Sequence, residues 1–369
     1  MLHHEPRIDH HPASLRPWPF EAETVPFSRA EWRNLNQFHY KSLVYDLHFH
    51  PRSGLPALVR HLSPRIFRRT MPALEGLAAL PRGGVDGCVL AAVGDRQVTG
   101  PFSVEAVRRS VSRQLARIRA EIEECGGRIA TTAAGIRAAK AAGKLSFVLG
   151  LEGADGVRHP EDLDDLYAQG VRLLSPVHLH DNALGTVGAT NWNYWLGGRQ
   201  REDLGGLTAL GEKVVRRMNR LGMIIDVSHA SRRLLLDITA LTSQPVVASH
   251  SGARAVFDFH RYLRDDEIRA VAATGGIIGL WPMYYLGRGM AEAKDFQTHL
   301  RHVADLVGVD HLAIGTDLQG IPGVMAGYGG VTQQIYLTRL LFEAGLDDTQ
   351  AAQVLGLNFL RVFGQVNGG

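Results

Sequence analysis

The chain has 369 residues, 45% of them hydrophobic, enough for one large domain or two ordinary ones with a sizeable core. Forty Lys and Arg against 37 Asp and Glu leave a net charge of +3 spread along the chain, which excludes the basic footprint of a nucleic-acid binder. Only two cysteines occur, Cys88 and Cys125, so a disulfide scaffold is excluded and a reducing, cytoplasmic setting is expected.

The first twenty residues, MLHHEPRIDHHPASLRPWPF, lack the basic, apolar and small-residue order of a secretory signal. His3, His4, His10 and His11 make a tract of a kind that can bind metal, and a loosely held terminal segment is the simpler reading. Residues 1–40 are expected to be an N-terminal extension, and residues 41–369 a single catalytic domain.

Short apolar runs then alternate with amphipathic stretches. SLVYDLHFH (42–50), VDGCVLAAV (85–93), LSFVLGLE (145–152) and VRLLSPVH (171–178) come first. MIIDVSH (223–229), PVVASH (245–250), GGIIGLWPM (275–283) and HLAIGTD (311–317) follow. Each is apolar on both faces, as buried parallel strands require. Residues 103–125 and 206–222 read as amphipathic helices, and 265–275 as a helix with an acidic first turn and a Gly stop. Eight strands alternating with helices predict an α/β fold, a (β/α)8 TIM barrel. An open doubly wound sheet is the competing arrangement, and no GxGxxG follows a strand to favour it. The connection 180–206 is too long for a plain loop, and Trp192, Tyr194 and Trp195 mark it as a lid or pocket wall. The most apolar window, GGIIGLWPMYY (275–285), is too short and too interrupted to span a bilayer, so no membrane partner is expected.

In such a barrel the reacting groups stand at the C-terminal strand ends. Those ends carry His48 and His50, Glu152, His178, His229, His250 and Asp317. His48 and His50, two positions apart in a strand, face the same way. One buried histidine is ordinarily a hydrogen-bonded core residue, but polar groups on so many strand ends need a shared partner. Histidine with carboxylate is the ligand set of zinc and similar divalent ions. The number suits two ions, His48 and His50 on one, His229 and His250 on the other, with Glu152 bridging. His178 and Asp317 are then left for chemistry, although His180 competes with His178 for the place facing the pocket. Asp46 and Asp226 read as hydrogen-bonding support and Asp181 as a turn residue.

With these residues in place the chain resembles the membrane dipeptidase (renal dipeptidase) family of zinc peptidases, among the amidohydrolase-like metal-dependent barrels. The resemblance rests on GLEG around Glu152, GVRLLSPVH ending at His178 and GLTALGEKVVRRMNRLGMIIDVSHAS around His229. PVVASHSGARAVF around His250, IGTDLQG around Asp317 and LGLNFLRVF (355–363) complete it, so that it runs from about residue 40 to 364. It implies Glu152 as the bridging carboxylate, His229 and His250 as ligands of the second metal, and His178 at the scissile carbonyl. It also implies Asp317 as proton shuttle and Arg261 as the clamp on the substrate carboxylate. The partner is then a dipeptide or related amide, the cofactors two divalent ions, zinc by ligand type, and the nucleophile a hydroxide bridging them. The family is often dimeric, and nothing in the sequence marks an interface.

Three departures stand out. The first strand carries His48-Phe49-His50 where the family usually has His-x-Asp, which removes a negative charge from the site. Gln319 stands where a second acidic residue often follows the aspartate, and Tyr262 and Leu263 replace the usual neighbours of Arg261. These leave two alternatives to a dipeptidase, a divergent amidohydrolase of a non-peptide amide or lactam, and an inactive metal-binding homologue.

Overall fold

The computed structural model describes residues 28–51, 76–96, 103–190, 205–321 and 323–368. The expected lid aromatics, Trp192 to Trp195, and the N-terminal histidines lie outside the described residues. Eight of the apolar runs form strands, β1 (Tyr45–Phe49), β2 (Gly87–Val93), β3 (Ser146–Glu152) and β4 (Val171–Ser175), then β5 (Ile224–Asp226), β6 (Val246–Ser251), β7 (Ile277–Leu280) and β8 (Leu312–Ile314). They pair in parallel in chain order from β1 to β8. The seam between the last strand and the first is stitched where Asp317 N donates to His48 O (2.8 Å) and His50 N to Leu318 O (3.0 Å). The result is a nearly closed eight-stranded parallel barrel, as predicted.

Why these runs make a barrel is visible in their burial. Every residue of β3, and every residue of β2 but Val93, is buried, so neither face could be left to water. Every strand sends apolar side chains into one cluster, from Tyr45 and Leu47 in β1 through Val148 and Val247 to Ala313 in β8. The C-terminal helix packs against it, with Phe359 stacked on Tyr45 at 5.0 Å. Around the outside run amphipathic helices, among them α1 (Arg29–Lys41), α2 (Val104–Glu124), α3 (Ala209–Leu221) and α4 (Asp265–Ala273). α1 lies within the expected N-terminal extension, begins in a Ser28–Glu31 capping box, and buries Leu35 and His39. Among the described residues, a two-residue strand at Arg128–Ile129 beside β3 and a hairpin at Tyr284–Gly289 were not foreseen. Both are too short to leave a periodic signal. No helix among the described residues is long and apolar enough to cross a membrane.

One buried carboxylate in the shell gives the fold a pH dependence of its own. Glu267, 3% exposed in the first turn of α4, accepts from Arg264 N at 2.7 Å. Burial pushes its carboxyl up to about 7, with that hydrogen bond opposing. The unfolded chain therefore releases this proton at lower pH than the folded chain does. Stability falls as pH rises from about 4.5 to about 7, by up to roughly 3 kcal/mol, and is flat above. The Tm difference between Glu267→Gln and the wild type is expected to widen in favour of the variant across that interval. A difference independent of pH would remove this carboxyl from the account.

Candidate metal centre

The strand ends converge as their positions require. Glu152 ends β3, 3% exposed, and five imidazoles turn Nε2 towards its two oxygens. His229, His48 and His250 lie at 2.9, 3.5 and 3.7 Å from Oε1, while His50 and His178 each lie at 3.5 Å from Oε2. Two ligand-like groups share this carboxylate, His48–His50–Glu152 and Glu152–His178–His229, each with its donor atoms within 4.8 Å of one another. Asp317 joins the first group, its Oδ1 3.1 Å from His50 Nε2. The barrel seam holds Asp317 and Gln319 at φ of 54° and 69°, left-handed backbone that non-glycine residues adopt sparingly and that clusters at functional sites.

A hydroxyl and a carboxylate behind the histidines decide which ring nitrogen is free. Ser249 Oγ donates to Asp226 Oδ2 at 2.7 Å, and its one proton is thereby used. Its lone pairs then face His48 Nδ1 (3.2 Å) and His250 Nδ1 (2.9 Å), so both rings donate from Nδ1 and, when neutral, keep a bare Nε2. Asp226 is saturated in turn by the hydroxyls of Ser175 and Ser228 and the backbone N–H groups of Ser228 and Ser249. On the other side Asp46 braces the backbone, accepting from Thr316 N at 2.9 Å, from the Thr316 hydroxyl and from His48 N at 3.2 Å. The Nε2 atoms come in facing pairs, His48 with His50 at 3.2 Å and His229 with His250 at 3.1 Å. Imidazole nitrogens gathered in this way around one buried carboxylate make a donor set that fits divalent ions.

The electrostatics agree with an electron-rich cluster. Burial pushes Glu152 up, but His178 and His48 nearby and the hydrogen bond from His229 hold it well below the usual carboxylate range. His48 is lowered by burial and more than restored by Glu152 and Asp317, to about 9. His229 and His250 are held well below an ordinary imidazole, by burial first and then by the charges of Arg261, His178 and His48.

The remaining expected residues separate clearly. His178 looks into the centre, whereas His180 looks away, with Nδ1 3.1 Å from Asp95 and Nε2 2.8 Å from Asp155. Burial lowers His180, but hydrogen bonds to those two carboxylates carry it up to about 9. Arg261 is buried, 5% exposed. Its Nη1 donates to Ser228 O, Nη2 lies 3.2 Å from His229 Nε2, and its guanidinium lies 5.2 Å from the Trp281 ring centre. Asp181 accepts from Val187 N within its own loop, as a turn residue should.

Comparison with known proteins decides the family. The profile of the membrane dipeptidase family, peptidase family M19, matches residues 35–368. The chain belongs to this family. Dipeptidase verJ of Clonostachys rogersoniana is 27% identical over 332 residues, spanning 87% of this chain and 82% of that one. An uncharacterized dipeptidase of Schizosaccharomyces pombe, C965.12, is 30% identical over 233 residues, 60% of this chain and 53% of its own. Among solved structures, the probable dipeptidase PvdM of Pseudomonas aeruginosa superposes with a TM-score of 0.78 at 23% identity, over 93% of this chain and all of that one. A metallo peptidase of Rhodobacter sphaeroides, liganded with a phosphinate mimic of the dipeptide L-Ala-D-Ala, superposes with a TM-score of 0.74 at 22% identity, over 88% and 99%. At those identities the structures establish the shared barrel. Membership of the membrane dipeptidase family makes the chain a dipeptidase-family metallopeptidase, and its clustered histidines and carboxylates agree with divalent metal use.

Sequence reading missed three members of this site. Ser249 sits between Ala248 and His250 and reads as a small strand residue until register brings Asp226 beside it. Asp95 and Asp155 follow strand ends by two and three residues, and only the extension of pairing past Val93, Gly94 N to Glu152 O, places Asp95 at the mouth.

Proposed function

We propose that the protein hydrolyses dipeptides at a two-ion centre held by His48 and His50 on one side, His229 and His250 on the other, and Glu152 between. The observation that carries this is the five Nε2 atoms gathered round both oxygens of one buried carboxylate. Two divalent ions, zinc by ligand type, supply a polarised scissile carbonyl and an acidified attacking water when bound. His178, with Nε2 turned inward from the end of β4, is placed beside the carbonyl oxygen and, when its ring is protonated on both nitrogens, donates from Nε2 to the oxyanion formed there. Asp317 takes the proton of the attacking water and returns it to the leaving amine. Arg261 holds the free carboxylate of the substrate, which restricts cleavage to dipeptides.

One observation favours a second reading, an amidohydrolase of a non-peptide amide or lactam. The guanidinium of Arg261 is engaged with Ser228 O and His229 and not aimed at open space. Arg261→Ala separates the two. For a carboxylate clamp, KM for a dipeptide is expected to rise about a hundredfold with kcat changing much less. The preference for a dipeptide over the same dipeptide amidated at its C-terminus should vanish with it. An unchanged preference would leave the non-peptide reading standing.

A further inference from the structure

The reaction just proposed uses His178, but nothing in it says what aims that ring. The chain of contacts behind the ring does. Past β2, Gly94 N still donates to Glu152 O at 2.8 Å, and this carries Asp95, 1% exposed, to the back of His178. Asp95 Oδ2 accepts from Leu179 N at 2.9 Å and lies 3.5 Å from His178 Nδ1, a buried atom that closes no hydrogen bond and has this carboxylate facing it, while Nε2 of the same ring faces Glu152. Gly153 makes the approach possible. Its φ is +81°, and a Cβ there would lie 3.1 Å from His178 Cβ and 3.3 Å from Asp95 Cβ.

Asp95 is gripped from its far side as well. His180 Nδ1 stands 3.1 Å from Asp95 Oδ2, and its other nitrogen stands 2.8 Å from Asp155 Oδ2. Asp155 is fixed by Arg96 N at 3.0 Å and by Asn182 Nδ2 at 3.1 Å. A carboxylate pinned in this way has one position to offer the next ring. We infer that Asp95 is a positioning residue for His178, accepting from Nδ1 and thereby keeping Nε2 turned to the reacting centre, with His180 and Asp155 as its buttress. The inference rests on the dipeptidase reading for its effect on rate, but not for its effect on the ring.

Two measurements test it separately. In a double-mutant cycle, Asp95→Asn is expected to lower kcat for dipeptide hydrolysis about ten- to a hundredfold with KM within about threefold. In the His178→Ala background the same change should lower kcat no further. If Asp95 only braces the loop, the two losses multiply, and the inference is overturned. The second measurement needs no activity. In 15N-histidine NMR of the full chain without added metal, the His178 signals, assigned by their loss in His178→Ala, should show a protonated Nδ1. That protonation pattern should change in Asp95→Asn. A wild-type Nδ1 without a proton overturns the inference even in an active enzyme. A protonated Nδ1 in a protein that cleaves no dipeptide upholds the aiming of the ring and sinks the proposed reaction instead.

Discussion

Glu152→Gln is expected to lower hydrolysis by a thousandfold or more and to strip bound metal from the purified chain. The substitution keeps the shape and removes the charge. In its place an amide NH2 would point two donors at imidazole nitrogens, where the carboxylate presented acceptors on both sides. Because His48, His229 and His250 look at Oε1 while His50 and His178 look at Oε2, both halves of the site lose the charged oxygen that Glu152 gave them. Metal content should therefore fall in both halves together, from two equivalents per chain towards none, compared with wild type so that the histidines before residue 12 contribute equally. Stability of the apo chain should move the other way or hardly at all, since burying a neutral amide costs less than burying a carboxylate. A variant that keeps one ion firmly would mean Glu152 serves a single metal, and one that keeps both would end the bridging assignment.

Much of the fold was legible in the sequence, for physical reasons. The barrel was legible because its strands are buried on both faces and so read as unbroken apolar runs; LSFVLGLE became β3 with every residue buried. The centre was legible because strand direction is regular: a polar residue where an apolar run ends must lie at the mouth, whatever the loops do. Support for the centre was less so. Ser249 acts on His48 from two hundred positions away, and its neighbours Ser228 and Asp226 reach it only through the register of β5 with β6. Asp95 was missed because apolarity ends at Val93 while backbone pairing runs one residue further, through Gly94. Arg261 was singled out by resemblance alone, and its burial against Ser228 and His229 depends on the loop after β6, where Ser251 Oγ donates to Arg261 O at 2.9 Å. A loop's course is set by many such bonds, and none has a periodic signature.

Asp317→Asn is the sharpest test of the chemistry, because the position holds two readings apart. Asp317 Oδ1 lies 3.1 Å from His50 Nε2 and 3.9 Å from His48 Nε2, close enough to be a ligand of the first ion and close enough to trade a proton with water held there. The variant must not disturb the backbone, which has a φ of 54° and an N–H bonded to His48 O across the barrel seam. Asparagine tolerates left-handed backbone better than most residues, so it is a cleaner choice than alanine. As a proton carrier, Asp317 contributes to kcat and not to holding metal. The variant should then lose about a hundred- to ten-thousandfold in kcat, with KM within a few-fold and metal content unchanged. Loss of one equivalent alongside the rate would make Asp317 a ligand, replacing the carboxylate that His50 does not supply on the first strand. An unchanged kcat would send the search for the base elsewhere, and Glu152, already committed to five imidazoles, is poorly placed to serve.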